Sequence, residues 1–318
     1  MDKIIIFIKA SFSKFTIFWL LMIAVTIISL TNQHFAKLAN IQSVLLQASY
    51  VGISAIGMTL LIIIGDFDLS IGSMLALCSI ATASTVSAFG PISGVFAATA
   101  AGMCLGLFNG LIVTKFKIPT LVATLGTMYV FIAFAYIIIG DSFKSVSDPR
   151  FLKIAFAKFL FLPISFWIMV VVMVLGAFLL NRTNYGRMVR ASGTNRKAAF
   201  AAGLSVDRLR IATFIVLGFT VGVTSFLQTA QLSSASPTMG TGFELNVIAT
   251  VVLGGASLKG GRGNIFGTFC SAIFFAVMSN ALNLYGVDSY WQYVVVGTII
   301  VLALAFDSAR QRYFHQSR

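Results

Sequence analysis

The stretch LSIGSMLALCSIATASTVSAFGPISGVFAATAAGMCLGLFNGLIVT, residues 69–114, decides the fold because it contains no Asp, Glu, Lys or Arg. A helix needs about 20 apolar residues to cross the hydrocarbon core of a membrane. The stretch therefore predicts two spans, separated at Gly90-Pro91, where Gly and Pro favour a break. Its apolar residues run continuously rather than in alternation, which excludes a transmembrane barrel.

Charge-free runs cover most of the rest of the chain. They are residues 15–36, 38–65, 118–140, 159–181, 211–243, 263–287 and 289–306. Only 10% of the 318 residues are charged, whereas a soluble domain carries about 25%. We therefore predict an all-α polytopic membrane protein. About ten transmembrane helices are expected, near residues 15–31, 42–64, 69–89, 92–114, 118–140, 162–180, 211–232, 243–258, 265–285 and 290–306. The first run is longer than the core of a signal peptide, which favours an uncleaved first span.

Basic residues concentrate in short loops between the predicted spans. The formal net charge is +13, and the 181–210 loop carries seven Arg or Lys residues against Asp207 alone. Cytoplasmic loops carry such an excess, so both termini are predicted to be cytoplasmic and the chain to lie in a bacterial inner membrane, in contact with lipid. This spread of charge over many loops argues against nucleic-acid binding. One transmembrane domain, residues 1–318, is expected to account for the whole chain.

Ligands for a metal or a covalently held cofactor are scarce. Cys78, Cys104 and Cys270 lie in apolar runs without a CxxC spacing, and His34 and His315 are the only histidines. We therefore expect neither a zinc nor a haem site.

Glycines recur at four-residue spacing, which lets membrane helices approach closely. The repeats are Gly102–Gly106–Gly110, Gly218–Gly222 and Gly263–Gly267. The pattern favours packing within one chain, and a dimer seam is the alternative.

The basic loop contains a well-delimited short helix. Thr194 or Asn195 is suited to cap its N-terminus, and Gly203 is suited to end it. The alanine pairs between them leave a bare face that suits insertion into a groove of a partner protein.

KAAFAAG, residues 197–203, resembles the EAA-type loop of ABC importer permeases, with Lys197 where that family has Glu. GDFDLSIGS, residues 65–73, is similar to the Gly-Gly-Ile-Asp-Leu-Ser-Val-Gly-Ser motif of ribose- and xylose-type permeases, with Asp66 in place of the second Gly. QLSSASPTMGTGFELNVIA, residues 231–249, and the following GGASLKGGRG, residues 254–263, resemble the same family, with Asn246 where ribose permeases have Asp.

This resemblance runs from about residue 40 to residue 310 and implies a type II-like ABC importer permease for a monosaccharide. It implies three partners, namely an ABC ATP-binding subunit, a periplasmic sugar-binding protein and a second permease copy or paralogue that completes a dimer. It also implies that the helix near residues 194–204 is the coupling helix, with contacts to the ATP-binding subunit from Arg196, Lys197, Ala198, Ala199 and Gly203.

The chain itself has no GxxxxGK[ST] phosphate loop. The nearest glycine cluster, GGASLKGGRG, lacks Ser or Thr after Lys259. We therefore expect no cofactor on this chain and no enzymatic activity of its own, with ATP used by the partner subunit or energy drawn from an ion gradient.

GDFDLSIG, residues 65–72, places two acids between apolar runs and predicts an interrupted helix whose next segment opens at Ser70. Interrupted helices line the pathways of transporters. The residues expected along a polar path for sugar hydroxyls are Asp66, Asp68, Ser70, Asn109, Glu244, Asn246, Asn280 and Asn283. The alternatives are that Asp66 and Asp68 cap helix ends at the cytoplasmic edge, and that Asn280 and Asn283 make hydrogen bonds between helices.

Two other function classes remain open. A gradient-driven secondary transporter would use Asp66, Asp68 or Glu244 as its ion site. A polytopic enzyme is disfavoured because the sequence has no paired histidines and no Ser-His-Asp set.

Overall fold

The computed structural model describes residues 16–288 together with 290, 291, 294, 295, 297, 298 and 301. It is a bundle of apolar helices with four two-residue strands in its loops. The helices are α1 Thr16–Thr31, α2 Leu38–Ile63, α3 Ile71–Phe89, α4 Pro91–Lys115, α5 Thr120–Ile139, α6 Pro149–Ala155, α7 Ile164–Arg182, α8 Asn184–Thr194, α9 Arg196–Ala201, α10 Val206–Leu232, α11 Phe243–Leu253 and α12 Ile265–Leu284. The strands are β1 Lys144–Ser145, β2 Lys158–Phe159, β3 Leu162–Pro163 and β4 Ser234–Ala235.

Seven of the described helices are long and apolar enough to cross a membrane, namely α2, α3, α4, α5, α7, α10 and α12. Helix α1 is shorter, although it begins where the first span was predicted. The last predicted span, residues 290–306, lies mostly outside the described residues. The helical membrane fold is therefore confirmed, whereas the number ten and the orientation of the termini stay predictions.

Helix α2 forms the centre of the bundle and packs against α7, α10, α11 and α12. In the most apolar 18-residue segment of α2, 78% of the residues are buried. The corresponding share for α7 is 22%, so most of α7 faces outward. Helices with an exposed apolar surface suit contact with lipid, since hydrocarbon is as apolar as their side chains.

The glycine repeats of α4 and α10 bring these two helices into backbone contact. A Cβ added to Gly102 would lie 2.1 Å from the carbonyl oxygen of Gly218, and one added to Gly106 would lie 2.3 Å from that of Phe214. The preferred interpretation of these glycines, packing within one chain, is thereby confirmed.

The predicted span 243–258 is a half-helix. Helix α10 ends at Leu232, β4 pairs antiparallel with β1, and α11 then covers only Phe243–Leu253. At 1.5 Å per residue its 11 residues reach about 16 Å, roughly half of the hydrocarbon thickness. Left-handed Gly242 precedes the helix and left-handed Gly255 follows it, which is why it stops short of a full span.

The loop between α5 and α7 lies at the same end of the bundle as β4. Asp148 caps helix α6, accepting a hydrogen bond from the backbone N–H of Arg150 at 2.8 Å, and pairs with its guanidinium at 2.8 Å. The Arg150 side chain holds the pKa of the Asp148 carboxyl below its usual range.

Candidate translocation and coupling site

Three of the sequence motifs meet at one end of the bundle. The carbonyl oxygen of Ile63, at the end of α2, accepts a hydrogen bond from the N–H of Gly261 at 2.7 Å. A Cβ added to Gly193 would lie 1.8 Å from the same oxygen, and one added to Gly260 would lie 3.1 Å from the Cα of Gly65. We call this meeting of residues 63–70, 192–196 and 254–263 the loop junction. Only glycine lets the three backbones approach this closely.

Asp66 lies inside the loop junction with its side chain 1% exposed. Arg210 of α10 donates from Nε to Oδ2 at 2.6 Å and from a terminal nitrogen to Oδ1 at 2.9 Å. Thr120, the first residue of α5, donates its hydroxyl to Oδ1 at 2.7 Å. Arg196, the first residue of α9, donates to Oδ1 at 3.2 Å. A buried carboxylate is tolerated when it is paired and hydrogen-bonded in this way.

Asp68 makes a second, separate network. Its Oδ1 accepts from the backbone N–H of Ser70 at 2.8 Å and from its hydroxyl at 2.6 Å, while Asn109 of α4 donates to Oδ2 at 2.9 Å. Burial raises the pKa of the Asp68 carboxyl, and these donors partly offset that effect. Ser70 holds the N-cap position of α3 as predicted, but its side chain binds Asp68 instead of capping the helix.

The other predicted pathway residues lie elsewhere. Glu244 is half-buried at the start of α11, with Oε2 2.5 Å from where a Cβ on Gly72 would lie. Asn246 lies two residues after Glu244 in the same helix and is exposed. The predicted set therefore divides into a group at the loop junction, a group around the start of α11, and the pair Asn280 and Asn283 on α12.

Asn280 of α12 exchanges two hydrogen bonds with Asn40 of α2, at 2.7 and 2.9 Å. Asn40 lies 23 residues before Ile63 on the same helix, about 35 Å away along its axis. Asn280 is thus far from the loop junction and takes part in a helix–helix contact, while Asn283 is exposed nearby.

The short helix predicted in the basic loop near residues 194–204 is present as α9, Arg196–Ala201, and its coupling role stays a prediction. Asn195, rather than Thr194, caps it by accepting from the N–H of Ala198 at 3.0 Å. Gly203 has φ +83°, and the N–H groups of Gly203 and Leu204 bond back to Phe200 and Ala199 in the pattern that ends a helix at a left-handed glycine.

Helix α9 presents most of its surface outward. Ala199 is buried, whereas Lys197, Ala198 and Phe200 are exposed, Phe200 by 74%. A groove of about 620 Å³ runs between α9 and the start of α10, beside Lys197, Phe200 and Arg208.

Two contributors to the site escaped the sequence analysis. No sequence pattern points to Arg210 or Thr120, because both reach Asp66 across more than 50 residues of sequence. The only available signal was the buried acid itself, which requires a partner. Among the residues that the structure describes, no group of three His, Cys, Asp or Glu side chains is placed to hold a metal ion.

Comparison with known proteins assigns the chain to a family of permeases. Residues 40–304 match the family described as "Branched-chain amino acid transport system / permease component". The chain is 35% identical over 297 residues to the ribose import permease protein RbsC of Escherichia coli K12, covering 92% of each chain. It is 37% identical over 290 residues to RbsC of Bacillus subtilis 168, covering 90% of each. It is 33% identical over 280 residues to the L-arabinose transport system permease protein AraH of Escherichia coli K12, covering 88% of this chain and 85% of that one.

No solved structure gives a significant match. The family match spans most of the sequence, and the relatives align along nearly their whole length. The resemblance to importer permeases expected from the sequence motifs is thus confirmed, and the chain belongs to the permease component family of branched-chain amino acid transport systems.

Proposed function

We propose that this chain is the membrane-spanning permease subunit of an ATP-driven ABC importer that moves a monosaccharide across the inner membrane. The substrate class follows from the ribose and arabinose permeases to which the chain is similar over about nine-tenths of its length. The observation that carries the ATP-driven mechanism is α9, a capped and exposed helix tied to the bundle through Arg196.

The partners follow from this role. An ATP-binding subunit would dock on α9 and its groove, contacting Arg196, Lys197, Ala198, Ala199 and Gly203, and would hydrolyse ATP, so that this chain needs no cofactor. A periplasmic sugar-binding protein would deliver the sugar at the opposite end. A second permease copy or a paralogue would complete the dimer around the single domain formed by residues 1–318.

We place the polar path between the starts of α3 and α11. Glu244 and Asn246 would offer hydrogen bonds to sugar hydroxyls there. The group Asp66, Asp68, Ser70 and Asn109 would border the inner end of the path. In support, the side-chain oxygen of Asn109 is buried and has no donor among the described protein groups. Asn280 and Asn283 would border the outer end.

The test is reconstitution with genomic neighbours. The tagged chain is co-purified with the products of adjacent genes, placed in lipid, and assayed for ATP hydrolysis with candidate sugar-binding proteins. We expect an ATP-binding chain to co-purify and one sugar-loaded binding protein to raise turnover. Purification of the chain alone, with uptake that follows an ion gradient, would overturn the proposal.

That second outcome defines the alternative, a gradient-driven sugar transporter. The observation in its favour is Glu244, a half-buried acid that forms no salt bridge with any residue in the described part of the chain. Such an acid suits a proton or cation site. Collapse of uptake by an uncoupler, without any requirement for an ATP-binding subunit, would favour this alternative.

A further inference from the structure

We propose that Asp66 is a positioning residue that links the coupling helix α9 to the membrane helices through a releasable contact with Arg196. This inference rests on the proposed function and names the residue pair through which α9 would act on the bundle. Asp66 is also one of the two positions, with Phe67, at which this sequence departs from the Gly-Gly-Ile-Asp motif that it resembles.

The contacts of Asp66 connect residues of several helices to one carboxylate. The residue itself lies in the break between α2 and α3, Arg210 comes from α10 and Thr120 from α5. Arg196 belongs to α9, the only one of these helices that lies outside the bundle. A displacement of α9 therefore reaches α2, α3 and α10 through a single side chain.

The two arginines are not equivalent. Arg210 forms a two-pronged pair with both oxygens of Asp66 and its side chain is 9% exposed. Arg196 makes one longer bond, at 3.2 Å, and its side chain is 44% exposed. Arg196 can leave without stranding a buried charge, since Arg210 still neutralises the carboxylate. The Arg210 pair is therefore the fixed half of the link and the Arg196 contact is the half that opens.

The geometry also separates this role from simple docking. Asp66 is 1% exposed and cannot touch a partner protein, whereas Arg196 can. If Arg196 acted only by contacting the ATP-binding subunit, substitution of Asp66 would not change the stimulation of ATP hydrolysis by the binding protein. If Arg196 acts through Asp66, the two changes must have the same consequence.

The experiment compares Arg196→Met, Asp66→Asn, Arg196→Lys and the control Arg187→Met in the reconstituted importer. Arg187 is an exposed arginine of α8 in the same basic loop. ATP hydrolysis and sugar uptake are measured with and without the loaded binding protein. We expect the first two variants to lose about tenfold in the ratio of stimulated to unstimulated ATP hydrolysis, a size usual for coupling between sites, while Arg187→Met keeps the wild-type ratio. Arg196→Lys should retain most of the stimulation, since one donor suffices for the single hydrogen bond to Asp66.

Two results would overturn the inference. One is normal stimulation in Arg196→Met. The other is a defect in Arg196→Met that Asp66→Asn does not share, although Asp66→Asn is inserted and assembled normally. Failure of the wild-type chain to support ATP-driven uptake would instead count against the proposed function. A readout on the permease alone separates the two cases, because faster amide exchange of α9 in Arg196→Met than in Arg187→Met is expected even without the ATP-binding subunit.

Discussion

Gly72 and Gly240 lie backbone to backbone at the point where α3 begins and the chain turns into α11. A Cβ added to Gly240 would lie 1.9 Å from the carbonyl oxygen of Gly72, and one added to Gly72 would lie 2.3 Å from that of Gly240. The start of α3 and the chain that leads into α11 are thus in direct backbone contact, and neither glycine has room for a side chain.

Gly240→Ala is therefore expected to destabilise the chain, because a methyl group must displace backbone atoms rather than a flexible side chain. We expect a loss of about 1–3 kcal/mol and reduced transport, measured by thermal unfolding in lipid and by uptake. Gly126→Ala is the matched control, since nothing lies within 4 Å of a Cβ there. Equal stability of the two variants would contradict the close contact.

Gly218→Leu should separate α4 from α10. A Cβ at this position would lie 2.0 Å from the carbonyl oxygen of Gly102, so a leucine cannot fit while the helices keep their distance. We expect loss of the folded protomer, seen as protease sensitivity after membrane insertion. Cys104→Leu, on the exposed side of α4, should be tolerated. A variant that folds normally but loses only self-association would indicate that these glycines form a dimer seam.

Gly203→Val should abolish ATP-driven transport while leaving membrane insertion intact. The cause is conformational, because space is open around Gly203 but its φ of +83° is unfavourable for a β-branched residue. Gly203→Asn is the comparison, since asparagine tolerates the left-handed region and should retain most of the activity. Equal activity in both variants would show that the end of α9 need not keep this conformation. Ala199→Leu should also abolish transport, because Ala199 is the buried residue of α9 and a larger side chain would push the helix away from the bundle.

Asn109 and Asp68 should show strong energetic coupling. Asn109→Ala removes a buried donor from the Asp68 carboxylate, which is expected to cost about 1–3 kcal/mol of stability. The measurement is a double-mutant cycle with Asp68→Asn, following thermal unfolding. Because the two side chains share one network, their effects should not add. Simple additivity would mean that the contact contributes nothing to stability.

The Asp148–Arg150 pair, in the loop between α5 and α7, should make stability depend on pH in the acid range. The pKa of Asp148 is lowered in the folded chain, so the pair stabilises it above the ordinary value of 3.8, and that contribution disappears as the pH falls through the lowered value. Asp148→Asn keeps a capping oxygen but removes the charge. Its melting temperature should lie slightly below wild type at pH 6 and converge with it on acidification. A constant difference at every pH would exclude the charge as the cause.

Local features of the chain were predictable from the sequence. The charge-free runs indicate the long helices, since only a continuous helix satisfies its backbone within hydrocarbon. Asn195 and Gly203 delimit α9 because a cap acts on groups three or four residues away. The four-residue spacing of the glycines on α4 indicates a close helix contact, because residues four apart share one face of a helix.

The tertiary structure alone decided which of these features meet. Asp66 finds Arg210 at a separation of 144 residues, and Asn280 finds Asn40 at 240. From the sequence alone, Asp66 is compatible with a sugar path, an ion site or a helix cap. Composition does not say which distant donor will neutralise a buried charge. Helix α11 is a half-helix instead of the predicted span 243–258, because left-handed Gly242 and Gly255 bound it. Local propensity and hydrophobic runs act over a few turns of chain, whereas the pairing of buried polar groups is settled by packing of the whole bundle.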